Sequence, residues 1–327
     1  MIKTFMLSHL NSVFGSSKAA ARARRQRSLA LKGLAVALLS VGLMTAVPSL
    51  AADSWSPSRP QLQSASSKAV QPQVDKQTAD AAAEKRKQLL SEAAAALAQT
   101  QQALKALEDK KNDVALKALA DATGKLELMV ARDPSLKLAP IATQIVTFDV
   151  FADPQTLKRA ISEAKDALSD GDIPRARPLV EALASETQIR TTSIPLATYP
   201  AAIKVISPLI DAGKIDEAKA KLQTALNTLV VTTEVIPLPK LRAENLLKEA
   251  QALAEKRDRS KGDNDKLANQ LKTVREQLQM AEVLGYGKKR DFQPMYAQLE
   301  SIEKTSAGGK SGSGWFDKIR KQVAEAF

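Results

Sequence analysis

Cysteine is absent from this 327-residue sequence, and histidine occurs once, at His9. A chain without a thiol cannot form a disulfide, a thiolate metal site or a cysteine nucleophile. Because His9 lies in a segment that we predict to be removed, the remaining chain also lacks the residue on which Ser-His-Asp catalysis and most zinc sites depend. We therefore predict a protein that is not an enzyme and that holds no metal or cofactor.

The N-terminal region accounts for most of the positive charge of the chain. Residues 1–51 contain seven Lys or Arg and no acid, followed by an apolar run from Gly33 to Val47 and small residues before Ala52. These are the parts of a secretory signal peptide, so we predict cleavage before Ala52 or Asp53 and a periplasmic location. The alternative is an uncleaved membrane anchor, but the run of 15 residues is shorter than the roughly 20 that span a bilayer.

Removing this segment changes the interpretation of the formal net charge of +12. Without it, 41 basic residues stand against 36 acidic ones, which leaves +5. Aromatic residues make up only 4% of the chain, and none is interleaved with a basic run as in a base-stacking surface. We therefore predict no nucleic-acid partner.

Composition divides the remainder into four segments. Residues 52–76 are rich in Ser, Pro and Gln and predict a flexible linker, whereas residues 77–305 are rich in Ala, Leu and charged residues and predict a helical domain. Residues 306–314 predict a Gly/Ser hinge, and residues 315–327 a C-terminal amphipathic helix.

The first and last predicted helices each allow two interpretations. In the helix from about Thr78, Leu90, Leu97 and Leu104 recur every seven residues, which is typical of an oligomerising coiled coil or of one helix in an ordinary bundle. The apolar face of the terminal helix could contact a membrane surface or a partner, or it could fold back on its own bundle. For both helices we favour packing within the chain.

An internal repeat spans about residues 171–252, with an offset of 42 residues. The stretch DGDIPRARPLVEAL…TTSIPLATYP aligns without a gap to AGKIDEAKAKLQTAL…TTEVIPLPKL. Each copy predicts a helix, a left-handed turn at Gly171 or Gly213, a second helix, and an extended segment that ends in Ile-Pro-Leu. The period differs from the 34 residues of a tetratricopeptide array, so a compact bundle is favoured over a regular solenoid.

The two extended segments are β-branched, so we expect them to pair with each other, and QIVTFDVF (144–151) to add a third strand. The predicted fold class is therefore mainly α: a multi-helix bundle of helical-hairpin repeats with a small two- or three-stranded β element.

Three short motifs resemble catalytic signatures but have simpler explanations. Asp149 and Asp153 could form a carboxylate pair, yet Asp153 precedes a proline as a helix N-cap does. Ser162 and Lys165 match Ser-x-x-Lys in the middle of a predicted helix, without companion motifs. The GGKS at 308–311 lacks the preceding strand of a phosphate loop, so we interpret it as part of the hinge.

Hydroxyl groups of the duplicated extended segments are the candidate binding groups. Placed beside the two Ile-Pro-Leu stretches and joined by tyrosines, they would line an apolar groove between helices. The alternative is that the threonines only hold the strands together. The candidate residues are Thr191, Thr192, Tyr199, Thr232, Thr233 and Tyr286.

The phrases IDEAKAKLQTALNTLVVTTEVIPLP and AEVLGYGKKRDFQPMYAQLESIE resemble the YfdX family of bacterial exported proteins, over roughly residues 77–305. The resemblance implies a soluble, mostly helical protein associated with stress and drug tolerance, and it supplies no catalytic residues. We expect a non-catalytic periplasmic stress protein that binds small apolar or aromatic compounds or protein partners. The alternative is an interaction module that forms homo-oligomers or contacts membrane through its first and terminal helices. A hydrolase is the weakest hypothesis.

Overall fold

The computed structural model describes residues 63–326. The predicted signal peptide, 1–51, and the first part of the predicted linker lie outside the described residues. Within the described range the chain forms helices and one small sheet, which confirms the predicted fold class. The elements are α1 Ala65–Ala69, α2 Gln71–Lys87, α3 Ser91–Glu108, α4 Asn112–Arg132, β1 Leu138–Phe148, α5 Pro154–Ser169, α6 Ile173–Glu181, β2 Glu186–Pro195, α7 Tyr199–Lys204, α8 Ser207–Asp211, α9 Ile215–Leu226, β3 Val230–Pro237, α10 Leu238–Glu255, α11 Lys261–Leu284, α12 Lys289–Ser306 and α13 Asp317–Glu325.

The prediction of a flexible linker up to residue 76 is wrong from residue 65 onward, where α1 and the start of α2 lie. The Ser64 hydroxyl caps α1 by accepting from the backbone N–H of Ser67 at 3.1 Å. Val70 and Val74 are fully buried. Their burial against distant helices stabilises a segment whose polar composition, taken alone, is typical of disorder.

The predicted long first helix is divided into α2 and α3 at residues 88–90. At this break the backbone N–H of Leu90 donates to the carbonyl of Pro140 in β1, at 2.8 Å. The alanines Ala93, Ala96 and Ala103 are fully buried, while Leu97 is only partly buried. Small residues therefore allow α3 to approach α4 and α9, which is the packing of a bundle helix.

The sheet has the order β1-β2-β3 and is antiparallel throughout. Thr191 in the central strand lies opposite Thr143 in β1 and Thr232 in β3. The duplicated segments thus pair with each other as predicted. The third strand also forms, but it begins earlier than predicted, at Leu138, and contains a register shift between Pro140 and Ala142.

Both repeat turns have the predicted backbone conformation. Gly171 and Gly213 each adopt φ = 73°, the left-handed region that a side chain makes costly. Gly171 joins α5 to α6, and Gly213 joins α8 to α9.

The helices build two main apolar cores. One lies among α3, α4, α7 and α9, and the other among α10, α11, α12 and α13. In the described residues no helix is long and apolar enough to cross a membrane.

The terminal helix α13 folds back on the second core, where Phe316, Ile319 and Val323 are buried. The Gly/Ser segment before it is held by Arg259, whose guanidinium donates to the carbonyls of Ser306 and Lys310 at 3.2 and 2.6 Å. Of the two interpretations of this helix, the structure therefore has the one in which it packs within the chain.

Candidate functional site

The most buried charge in the described residues is Arg242 of α10, whose side chain is 1% exposed. Its Nη1 and Nη2 donate to Oδ1 and Oδ2 of Asp149 at 3.0 and 2.5 Å. Its Nε and Nη2 also donate to Oε1 of Gln71, at 3.3 and 3.0 Å. Bidentate pairing of this kind compensates the desolvation of both charges.

The ion pair also holds the two chain segments that enter and leave the α5–α6 hairpin. Asp149 follows β1, and Ser185 precedes β2. The Ser185 hydroxyl donates to Oδ1 of Asp149 at 2.8 Å, while its backbone N–H donates to the hydroxyl of Tyr286 at 2.8 Å. Burial raises the pKa of Tyr286, so this hydroxyl stays neutral. One polar network therefore joins α2, α10, the hairpin connections and the end of α11.

A cavity of about 240 Å³ lies beside this network. We call it the Arg242 cavity. Four parts of the chain form its walls: the residues around α1, the connection between β1 and α5, Arg242 of α10, and one side of α11. The lining residues are Gln63, Ser64, Ser67, Val150, Phe151, Ala152, Asp153, Pro154, Arg242, Glu276, Gln277 and Met280.

The Arg242 cavity combines apolar walls with one unpaired polar atom. Phe151 stays 39% exposed, and its ring centroid lies 5.8 Å from the guanidinium carbon of Arg242. Gln277 is only 7% exposed; its Nε2 donates to the Ser67 hydroxyl at 3.4 Å, but its buried Oε1 has no hydrogen-bond partner. An unpaired buried oxygen costs about 1–3 kcal/mol. This one has almost no accessible surface, so a donor on a ligand in the cavity would reach it only after the Gln277 amide rotates.

The two carboxylates considered as a pair, Asp149 and Asp153, each bind other groups. Asp149 is committed to Arg242, and Asp153 caps α5 by accepting from the backbone N–H groups of Gln155 and Thr156 at 2.8 and 2.9 Å. The cap interpretation of Asp153 therefore holds. Among residues 63–326, no group of three or more acidic, Cys or His side chains could hold a metal ion.

The six candidate binding residues do not line one groove. Thr191 and Thr232 are cross-strand partners, and the Thr232 hydroxyl lies 3.4 Å from the Thr191 carbonyl. Neighbouring residues of a strand point to opposite faces, so Thr192 and Thr233 face away from them.

The two tyrosines lie apart from these threonines. Tyr199 is fully buried in the core that contains α3 and α4, and burial raises its pKa. Of the six residues only Tyr286 reaches the polar network of Arg242, through its bond to Ser185.

Arg242 and Gln277 were missed because each stands inside an ordinary helical sequence. A signal for Arg242 exists: it lies four residues after the buried Leu238 and three before the buried Asn245, on the inner stripe of α10. A charge at such a position indicates a buried partner. Gln277 has a similar position, three residues after the buried Val274 and four before the buried Ala281 of α11, but an uncharged amide there is a weaker indication of a partner.

Comparison with known proteins extends this description. The family model described as YfdX protein matches residues 96–235, which confirms the resemblance for that part of the predicted 77–305. A solved structure of YfdX from Salmonella Typhi is 17% identical, with a TM-score of 0.33, over 46% of this chain and 93% of that one. No curated protein matches the chain.

Proposed function

We propose that this chain, whose residues 96–235 match the YfdX family model, is a non-catalytic, stress-associated periplasmic protein that binds small aromatic compounds in the Arg242 cavity. The observation that supports the proposal is the unpaired Oε1 of Gln277, a residue that lines the same cavity as Phe151 and Met280. Pockets for small molecules typically combine apolar walls with a few polar groups that fix orientation. A planar ring can lie against Phe151 while a donor on the ring satisfies Gln277.

The preferred ligand is uncharged or positively charged. The cavity wall contains the carboxylate of Glu276, whereas the charge of Arg242 is already neutralised by Asp149. An anionic ligand would have to displace Asp149 from the guanidinium, and this would leave a buried carboxylate unpaired.

The matched probes benzamide and methyl benzoate test the proposal, because they share an aromatic ring but only benzamide has an N–H donor. Ligand-observed NMR titration should show saturable binding of both, with benzamide tighter. Replacing Gln277→Met removes the acceptor and should weaken benzamide about fivefold, the equivalent of about 1 kcal/mol, without changing methyl benzoate. Phe151→Ala should weaken both probes.

Gln322→Met is the control variant, since it removes another buried, unpaired amide oxygen, on α13, outside the cavity lining. It should leave both titrations unchanged. The absence of saturable binding, or an equal loss of benzamide affinity in both variants, would contradict the site.

The periplasmic location is part of the same proposal and rests on the residues of the leader. The intact mass of exported protein should correspond to a chain that begins at Ala52 or Asp53. A mass that still includes Leu38 and Leu39 would argue for a retained anchor.

A further inference from the structure

The outer edge of β3 is open in the described residues, because the sheet ends there. All five residues 231–235 are exposed, including Val231 at 58% and Val235 at 44%. The opposite edge is different, since the carbonyl of Pro140 in β1 accepts from Leu90. Among the described residues, the β3 edge therefore combines two exposed valines with a strand side that no further strand pairs.

The direction of the backbone groups along β3 follows from one hydrogen bond. The backbone N–H of Leu238 donates to the carbonyl of Ser185 at 3.0 Å, and the β2–β3 register continues without a shift. Backbone groups of successive residues in an antiparallel strand point to alternate sides. Val231, Thr233 and Val235 therefore direct their N–H and C=O groups outward, away from β2.

The edge lacks the features that usually prevent strands from pairing. Residues 230–236 contain no proline, no Lys or Arg, and no bulge against β2. Their one charge, Glu234, is paired with Lys85 of α2 at 2.8 Å. Nothing on the edge itself therefore opposes the addition of a further strand.

We propose that this edge binds a second copy of the same chain, antiparallel, with a two-fold axis at Thr233. This register places Val231 of each copy opposite Val235 of the other and Thr233 opposite itself, with about six backbone hydrogen bonds. Residues 231–235 begin and end in valine, so in this isologous arrangement valine meets valine at both ends of the interface. The two three-stranded sheets thereby join into one of six strands.

Charge selects this register over its neighbours. With the axis at Thr233, Glu234 lies opposite Thr232 of the second copy, whose hydroxyl can donate to it. Moving the axis to Glu234 would place the two carboxylates opposite each other, which is unfavourable. Moving it to Thr232 would leave the outward groups of Val235 without partners.

Two double variants test both the interface and its register. In Val231→Lys/Val235→Lys, like charges meet at both ends of the interface, so the dimer dissociation constant should rise at least about tenfold. In Val231→Lys/Val235→Glu, each new lysine faces a new glutamate of the second copy, and self-association should return. Sedimentation velocity across micromolar concentrations measures both.

Circular dichroism melting checks that the variants stay folded, as expected for substitutions at exposed positions. The control is Val205→Lys, which changes an exposed valine outside the sheet. Val205→Lys should associate like the unmodified chain. A monomeric unmodified chain, self-association that is insensitive to the two lysines, or a lysine–glutamate variant as dissociated as the double lysine would each overturn the proposal. Because Gln277 and Phe151 are untouched, binding of benzamide should be unchanged in every variant, which separates this test from that of the cavity.

Discussion

The two copies of the internal repeat share a left-handed glycine turn, a helix after it and a strand, but these elements have opposite surroundings. Leu222 in α9, from the second copy, is fully buried, whereas its counterpart Val180 in α6 is 51% exposed. Ile215 packs against the core of α3 and α4, whereas Ile173 is 50% exposed. The position of a copy in the fold, and not its pattern, therefore decides which of its apolar residues stabilise the protein.

For the strands, the first copy is the more buried one, whereas for the helices it is the second. β2, from the first copy, lies in the centre of the sheet, where Ile189 and Ser193 are buried. β3, from the second copy, is the open edge. A duplicated unit has thus been divided, with one helix hairpin in the core and one outside it, and with one strand inside the sheet and one at its margin.

The largest expected difference between the copies is at Leu222 and Val180. Leu222→Ala should lower the free energy of unfolding by about 2–5 kcal/mol because it leaves a cavity in a packed core. Val180→Ala should stay within about 0.5 kcal/mol because the side chain is half exposed. Urea unfolding followed by circular dichroism measures both, and similar losses would contradict the assignment of the hairpins.

A smaller and equal effect is expected at the two turn glycines. A Cβ added at either glycine would meet no atom within 4 Å. The cost of a side chain there therefore comes only from the backbone strain of φ = 73°. Gly171→Val and Gly213→Val should each cost on the order of 1 kcal/mol or more. Lys214→Ala, beside the second turn, should be nearly neutral. If the two glycine variants lost unfolding free energies as different as those of Leu222→Ala and Val180→Ala, the cost of a side chain at the turn would depend on how deeply its hairpin is buried.

The smallest effect is expected from pH near neutrality, because residues 63–326 contain no histidine. The hydrogen bond from Lys256 lowers the pKa of Asp263 to about 2, so its stabilisation is present above the unfolded value of about 4 and is lost as pH falls toward 2. Burial raises the pKa of Glu244, so the stability that comes from its protonated form is present below the unfolded pKa and is lost as pH rises through the folded one.

At high pH the tyrosines dominate. Burial raises the pKa values of Tyr286 and Tyr296 above the ordinary value of 10, so stability should fall as pH rises beyond about 10.

Between the acid and alkaline ranges, melting temperature and light scattering should be flat from pH 8 to about 6, with acid changes beginning below about 5. A cooperative transition between pH 6 and 7 would contradict this expectation and would indicate a carboxylate whose pKa is raised far above its ordinary value.

Local features of the fold were predictable because neighbours in sequence produce them. The left-handed glycines, the cap at Asp153 and the pairing of the two Thr-rich strands all follow from short patterns. The helical structure of residues 65–76, that is α1 and the start of α2, was not predictable in this way. Their burial depends on Val70 and Val74 reaching cores formed by α10 and α11, far away along the chain.

The sequence by itself determined the absence of thiol chemistry, the helical class, the repeat and the conformation of its turns, because composition and short-range sterics are sufficient for each. Only the tertiary structure decided the candidate site. Gln71, Asp149, Arg242 and Gln277 belong to four separate parts of the chain, and no local pattern places them together. The exposure of the β3 edge was decided in the same way, because the two strand sequences are alike and only the order of the sheet distinguishes the central one from the outer one.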